Sequence, residues 1–457
     1  MTPSTALLTD RYELTMLQAA LADGTAHRRC VFEVFTRHLP AGRRYGVLAG
    51  TGRVLEALAG FRFGDAELAW LADEHVVDRH TLAWLADYRF SGDIIGYAEG
   101  EVFFPASPVL VVEGTFAEAV LLETLVLSIL NYDSAVASAA SRMTNAAAGR
   151  PCLEMGARRA HEEAAVAAAR AAVIAGFAGT SNLAAGRRYG LATIGTSAHA
   201  FTLLHDDETS AYASQVASLG ADTTLLVDTY DVRAGVQHAL DAAGVSLGSV
   251  RIDSGDLAVQ AHEVRAQLDA AGAHRTRITV TSDLDEYAIA ALAAAPVDSY
   301  GVGTSLVTGS GAPTCAMVYK LVAREGADGA MVPVAKASRG KPSVGGLKAA
   351  ARRLDQDGRA VEEVLVTGDD TAVRAWRERQ WAWPDGGGAW PDGDGGGLRS
   401  LQVPLVTHGV PDERRMGRAG VDLAQERHRM SRDELPRGAR RLSADEPALP
   451  TVTLTLP

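Results

Sequence analysis

The chain has 457 residues, enough for about three ordinary domains or one large barrel with attachments. Its apolar share of 47% against 22% charged residues is that of a globular chain with a large core and excludes intrinsic disorder. Forty-four Lys and Arg against 56 Asp and Glu give a formal charge of -12. That balance argues against nucleic acid or an anionic membrane surface as partner, so any anionic ligand is held by a local cluster of donors.

Up to residue 115 short helical patterns such as 65–87 mix with β-like runs at 31–35 and 109–112, which reads as an α+β domain. Residues 116–142 and 158–174 carry apolar positions at helical spacing and predict two long packed helices. From there a rhythm sets in. Short β-prone runs at 191–194, 224–227, 250–252, 278–280 and 297–302 each end in polar residues, and helical patterns at 211–219, 234–243, 257–271 and 284–294 lie between them. Strands alternating with helices of this length mean βαβ units and a parallel sheet, either a closed barrel or an open doubly wound sheet. In both, ligands sit at the C-terminal strand ends, where the polar clusters fall. Beyond 335 come the basic residues Lys336, Arg339, Lys341 and Lys348, then a Gly/Trp/Pro-rich loop at 381–397 with a doubled W-P-D-G. The tail from Asp412 is charged and helical, then alternates T-V-T-L-T-L from Thr451. The domains so read are 1–115, a barrel at 116–335, and a C-terminal region at 336–457.

Cys30, Cys152 and Cys315 are far apart and form no C-x-x-C pair, which speaks against a zinc or redox motif and for a reducing, cytosolic compartment. No run of about 18 apolar residues occurs, since even 119–130 contains Glu123, so no membrane span is expected. The patterns G-x-x-x-x-G-K-[ST], H-E-x-x-H and G-x-S-x-G are absent, which removes support for Walker-type kinases, zincins and α/β-hydrolases.

Four constellations offer chemistry. Y-G-V-G-T-S at 300–305 sets Gly301 and Gly303 before the Thr304 hydroxyl; it suits close approach to a phosphate, or a tight turn needing glycine for backbone reasons. In R-I-D-S-G-D, strand alternation points Arg251 and Asp253 to the same side, where the arginine offers a planar fork for a carboxylate or phosphate. Asp253 and Asp256 suit ribose hydroxyls or Mg²⁺, while Asp256 also reads as an N-cap for the following helix. G-T-S-A-H-A-F leads from Thr196 to His199, with the acidic 206–208 soon after; such a histidine needs a carboxylate to fix its tautomer, and sequence does not say which. Arg158 and Arg159 in E-M-G-A-R-R-A-H suit an anion or a solvated helix face, and Asp283 and Asp285 open the helix after 278–280.

In collinear order, L-L-T-D-R-Y-E-L-T-M, E-M-G-A-R-R-A-H, G-F-A-G-T-S-N, G-T-S-A-H-A-F, L-V-D-T-Y-D, R-I-D-S-G-D-L, G-V-G-T-S-L-V-T and V-Y-K-L resemble the nicotinate phosphoribosyltransferases, type II phosphoribosyltransferases of NAD salvage. The resemblance implies an irregular parallel α/β barrel with an N-terminal α+β domain and a small C-terminal extension, in a homodimer with shared active sites. It implies formation of nicotinate mononucleotide and diphosphate from nicotinate and phosphoribosyl diphosphate, with Mg²⁺ required and ATP hydrolysis coupled through a phosphohistidine. On matching positions, Tyr12 packs on the nicotinate ring, Thr196, Arg251 and Arg158 lie near nicotinate, and Asp253 is catalytic. Gly301, Gly303, Thr304 and Asp283 bind the sugar phosphates, His199 is the residue phosphorylated by ATP, and no metal ligand is assigned. The basic segment 336–348 resembles the family's lysine-rich stretch but carries V-G-G in place of an aromatic-Pro-Gly. The rival readings are a transferase for nicotinamide or a related base and a catalytically silent, ligand-sensing homologue.

Overall fold

The computed structural model describes residues 4–336, 344–381, 390–391 and 397–457. Two compact units divide the chain: 1–138 with 312–457, and 139–311. The division differs from the one read along the sequence, because strands far apart in sequence share a sheet. In the first unit Arg29–Thr36 lies between Leu110–Thr115 and the distant Met317–Glu325, antiparallel to both. That seven-stranded sheet continues through Asp93–Tyr97 to Gln402–Thr407. The alternating tail forms strand Thr451–Thr455, parallel to Ala360–Thr367 in a second sheet of five strands.

Helix Gly417–Glu434, the charged helical pattern of the tail, buries Arg-paired carboxylates in this unit. Arg352, wholly buried, lies 2.9 Å from Glu101, 3.0 Å from Glu363 and 3.3 Å from Glu434. Arg399 lies 3.0 Å from Glu101 and 2.7 Å from Glu434, and Arg427 3.2 Å from Glu101. Three guanidinium groups thus neutralise three carboxylates out of water, an arrangement stable only while complete. Burial alone would raise Glu101, but Arg399, Arg427 and Arg352 hold it well below the usual carboxylate range.

In the second unit six parallel strands run in the order Gly179–Thr180, Cys152–Glu154, Ser299–Val302, Arg277–Val280, Ser249–Ile252, Thr224–Leu226. The last strand in sequence pairs with the first, so the series wraps on itself; an open doubly wound sheet does not close in this way. The sequence pattern had not marked Cys152–Glu154 and Gly179–Thr180 as strands, since each is too short for periodicity. It had marked 191–194, which forms only a single bridge, Thr180 with Thr193. Among the described residues, strand pairing is therefore missing at one place around the wrap, between that segment and Thr224–Leu226, and the barrel is irregular and incomplete. The helix expected over 116–142 is broken after Val120 into Phe116–Val120 and Glu123–Ala146, while the remaining expected strands and helices appear within a few residues of their predicted bounds, the helices between the strands as Glu208–Leu219, Val232–Ala243, Leu257–Ala270 and Glu286–Ala291.

Candidate active site

The C-terminal ends of these strands carry the polar clusters seen in the sequence. Arg251, in strand Ser249–Ile252, donates from Nη1 to Thr196 Oγ1 at 2.6 Å, which brings two of the expected base-binding residues together. Its Nε is buried and has no hydrogen-bond partner. Burial lowers the guanidinium's pKa, the charges of Asp253 and Asp228 oppose that shift, and Arg158 adds to it. Arg158 is exposed on the short turn Ala157–Arg159 that follows Cys152–Glu154.

Asp253 sits one residue past the end of its strand. Its Oδ1 accepts from Thr281 Oγ1 of the neighbouring strand end, and its N–H donates to Asp228 Oδ2 at 2.9 Å. Asp256 is the N-cap of Leu257–Ala270, accepting from the Val259 N–H, so the capping reading holds for that carboxylate. His199 begins the helix His199–Leu204, beyond the unpaired segment of the barrel. Its Nδ1 lies 3.1 Å from Thr229 Oγ1 and its Nε2 3.9 Å from Asp228 Oδ1. Asp228 is thus the carboxylate beside this histidine. The acidic run at 206–208 is engaged elsewhere: Asp207 caps its own helix, and Glu208 bonds His238 and the Tyr212 hydroxyl. The side chain of Asp228 is 1% exposed and its Oδ1 has no hydrogen-bond partner.

Around the first strand a second cluster forms. Glu154 is fully buried and accepts from the Gly156 N–H and Thr180 Oγ1, and burial raises its carboxyl pKa. Gly301 is required by packing between strands, because a Cβ there would lie 2.4 Å from Thr281 Cγ2 and 2.8 Å from Met155 Sδ. Gly303, partly exposed, has no such neighbour within 3.4 Å and leads into the exposed Thr304. Asp283 is exposed past the end of Arg277–Val280, after Ser282 at φ 138, a strained backbone for a residue with a side chain. Asp285 is the N-cap of Glu286–Ala291.

Tyr12 belongs to the first unit, near the start of helix Arg11–Asp23, and is 44% exposed. Burial, then the charges of Glu123, Glu13 and Asp10, push its pKa up to about 12, so the ring stays neutral. Of the basic stretch, 337–343 lies outside the described residues, as does most of the 381–397 loop. Lys348 is buried in an ion pair with Glu33 at 2.9 Å and donates to the Val344 and Gly346 carbonyls.

Asp228, Thr229, Thr281 and Glu154 carried no role in the sequence reading. The signal was present for the first: L-V-D closes a β-prone run as R-I-D does.

Comparison with known proteins agrees over nearly the whole chain. The family model described as nicotinate phosphoribosyltransferase (NAPRTase) N-terminal domain matches residues 7–131. Nicotinate phosphoribosyltransferase pncB1 of Mycobacterium tuberculosis is 54% identical over 98% of this chain and 95% of its own length. The same organism's pncB2 is 44% identical over 77% and 76%. The crystal structure of human nicotinic acid phosphoribosyltransferase superposes with a TM-score of 0.75 at 26% identity, covering 97% of each chain. With strands, wrap and near-full-length identity in agreement, the chain belongs to the nicotinate phosphoribosyltransferase family.

Proposed function

We propose that this chain joins nicotinate to the phosphoribosyl group of 5-phosphoribosyl 1-diphosphate, giving nicotinate mononucleotide and diphosphate, and couples the transfer to ATP through a phosphohistidine at His199. The observation that carries the reading is Arg251: one nitrogen is braced by Thr196, while its buried Nε–H is unpartnered. Buried donors left unpaired are costly, and a planar carboxylate on a flat aromatic base satisfies such an edge.

In the reaction the ring nitrogen attacks C1 of the ribose as the C1–O bond to diphosphate breaks, through an oxocarbenium-like state. Such a step needs positioning and stabilised charge rather than a strong base. Arg251 and Thr196 orient the base by its carboxylate. Asp253, fixed by Thr281 and by its own N–H on Asp228, presents a carboxylate for the sugar side. Asp283, Gly301, Gly303 and Thr304 line the ends of the two adjacent strands, where the sugar phosphates are expected. Tyr12 is assigned to the nicotinate ring on the resemblance, and a homodimer with shared active sites belongs to the same reading, as does a cytoplasmic setting.

Among the described residues no group of three or more His, Cys, Asp or Glu is placed to hold a metal ion. Mg²⁺ carried on a diphosphate needs only one or two protein carboxylates, and the carboxylate of Asp253, set at the strand end by Thr281, fits that requirement. Bound there, the ion would neutralise charge on the leaving diphosphate. For the ATP step, a His199 nitrogen attacks the γ-phosphorus, ADP leaves, and later hydrolysis of the P–N bond releases phosphate. Asp228 and Thr229 hold the imidazole for that attack.

The test is a mass-resolved assay with Mg²⁺, phosphoribosyl diphosphate and equimolar nicotinate and nicotinamide, with and without ATP. Nicotinate mononucleotide, formed faster with ATP, is expected. Nicotinamide mononucleotide alone would move the assignment to the neutral base, and tight binding without product to a ligand sensor.

A further inference from the structure

Asp228 is held asymmetrically. Its Oδ2 accepts two hydrogen bonds, from the Asp253 N–H at 2.9 Å and from Ser254 Oγ at 2.7 Å, whereas its Oδ1 is buried, takes none, and lies 3.9 Å from His199 Nε2. Two donors on one oxygen fix the rotation of the carboxylate, and fixing it aims the bare oxygen at the imidazole. One of the two donors is backbone and comes with the strand. The other is a side chain that can be deleted. Ser254 stands where the chain leaves the strand: Gly255 takes φ 81 immediately after it and Asp256 starts the next helix, so the hydroxyl turns back across the strand ends. Thr229, next to Asp228, meets the other imidazole nitrogen. Both ring nitrogens of His199 are therefore addressed from one dipeptide, and the orientation of its carboxylate depends on Ser254.

We propose that Ser254 is a positioning residue for His199, acting through Asp228. This rests on the reading of His199 as the phosphorylated group. Without the hydroxyl the carboxylate is anchored at one point only and presents either oxygen, so the imidazole loses its fixed partner while charge and backbone stay the same. Ser254 itself is exposed, and replacing it leaves no cavity.

The experiment compares the full-length wild type with Ser254→Ala, Ser254→Thr and His199→Ala in two readouts. One is the rate of acid-labile phosphate incorporation from γ-labelled ATP. The other is the ¹⁵N ring signature of His199 in histidine-labelled protein, assigned with His199→Ala. Ser254→Ala is expected to slow incorporation by about tenfold, the loss of one hydrogen bond to a charged group, and to shift the His199 ring resonances. Ser254→Thr, which keeps the hydroxyl, is expected to restore both. Wild-type labelling and an unmoved ring signature in Ser254→Ala would overturn the proposal, because a serine that only closes its turn leaves both in place. If the wild type takes up no acid-labile phosphate, the His199 reading fails by itself. The ring signature then decides for Ser254: a shift reversed by threonine supports the positioning role, and no shift overturns it.

Discussion

Replacing Arg251 with alanine removes the guanidinium whose Nη1 is braced by Thr196 and whose Nε is buried without a partner. If that edge takes the carboxylate of the base, the variant loses charge-assisted hydrogen bonds worth about 1.5–3 kcal/mol. That corresponds to a rise in nicotinate KM of roughly 10–150-fold. The variant also removes a cation beside Asp228 and Asp253, an effect on the sugar side that has to be separated from base binding. Arg251→Lys makes the separation: it keeps the charge beside the two aspartates and loses the planar fork, so it should retain most of the nicotinate defect. Initial rates with base and phosphoribosyl diphosphate varied independently give both KM values for each variant. A nicotinate KM unchanged in Arg251→Ala, with the defect confined to phosphoribosyl diphosphate, would refute the assignment of this residue to the base. Nicotinamide, measured alongside as the competing base, should show the smaller change, since a neutral amide forms weaker bonds to the same edge.

Three further outcomes follow from the same structure. His199→Ala should keep a slow ATP-independent transfer and lose its stimulation by ATP; equal stimulation in variant and wild type, read as product formed with and without ATP, contradicts the phosphohistidine. Glu101→Gln leaves Arg352, Arg399 and Arg427 short of a buried carboxylate and should cost about 3–5 kcal/mol in urea unfolding, a loss below about 1 kcal/mol being incompatible with a cooperative network. His428 is buried, which pushes its pKa down to about 4. Its folded value lies below the unfolded one of about 6.5, so the stability it contributes is present above pH 6.5 and fades as pH falls toward 4. From pH 7 to pH 5 this amounts to about 2 kcal/mol, and His428→Gln should flatten the pH dependence of the unfolding free energy from urea titration by that amount. An unaltered slope refutes the buried neutral histidine.

What the sequence made legible depended on whether a signal was local. Strand Ser249–Ile252 and the Asp256 cap were readable because a β-prone run, a turn and a capping residue follow one another within a dozen positions. Arg251 and Asp253 followed from strand alternation. Cys152–Glu154 and Gly179–Thr180 were not readable, since strands of three and two residues are too short to show a period and exist only through their partners. The partner of His199 was hidden for the same reason. Asp228 is 29 positions away, whereas the acidic run at 206–208, close in sequence, is drawn off into a helix cap and a bond to His238. Nearness in the chain does not decide where packing does, so the sequence left the carboxylate open, and the resemblance supplied roles without supplying that contact. The division into domains shifted because antiparallel pairing of Arg29–Thr36 with Met317–Glu325 is a tertiary fact that no local composition records.

The place where strand pairing is missing gives the arrangement its logic. A closed barrel fills its mouth with backbone pairing between every neighbour, and a residue that must receive a phosphoryl group and release it needs access that such closure restricts. Here the segment carrying Thr196 and His199 leaves the sheet after its single bridge at Thr193 and returns as helix Glu208–Leu219 before strand Thr224–Leu226 begins. Thr196 is thereby placed against Arg251 and His199 against Asp228 by one irregular stretch, so that the proposed base-orienting pair and the proposed phosphoryl acceptor are set by the same short run of chain. Phosphorylation at His199 would add negative charge next to the bare, buried oxygen of Asp228, and like charges that close repel. The expected consequence is a displacement of the imidazole or of the carboxylate, carried along the Asp228–Asp253 hydrogen bond to the group assigned to the sugar. The proposed coupling between ATP use and base transfer would then run along two hydrogen-bonded strand ends, and it should weaken wherever that path is cut.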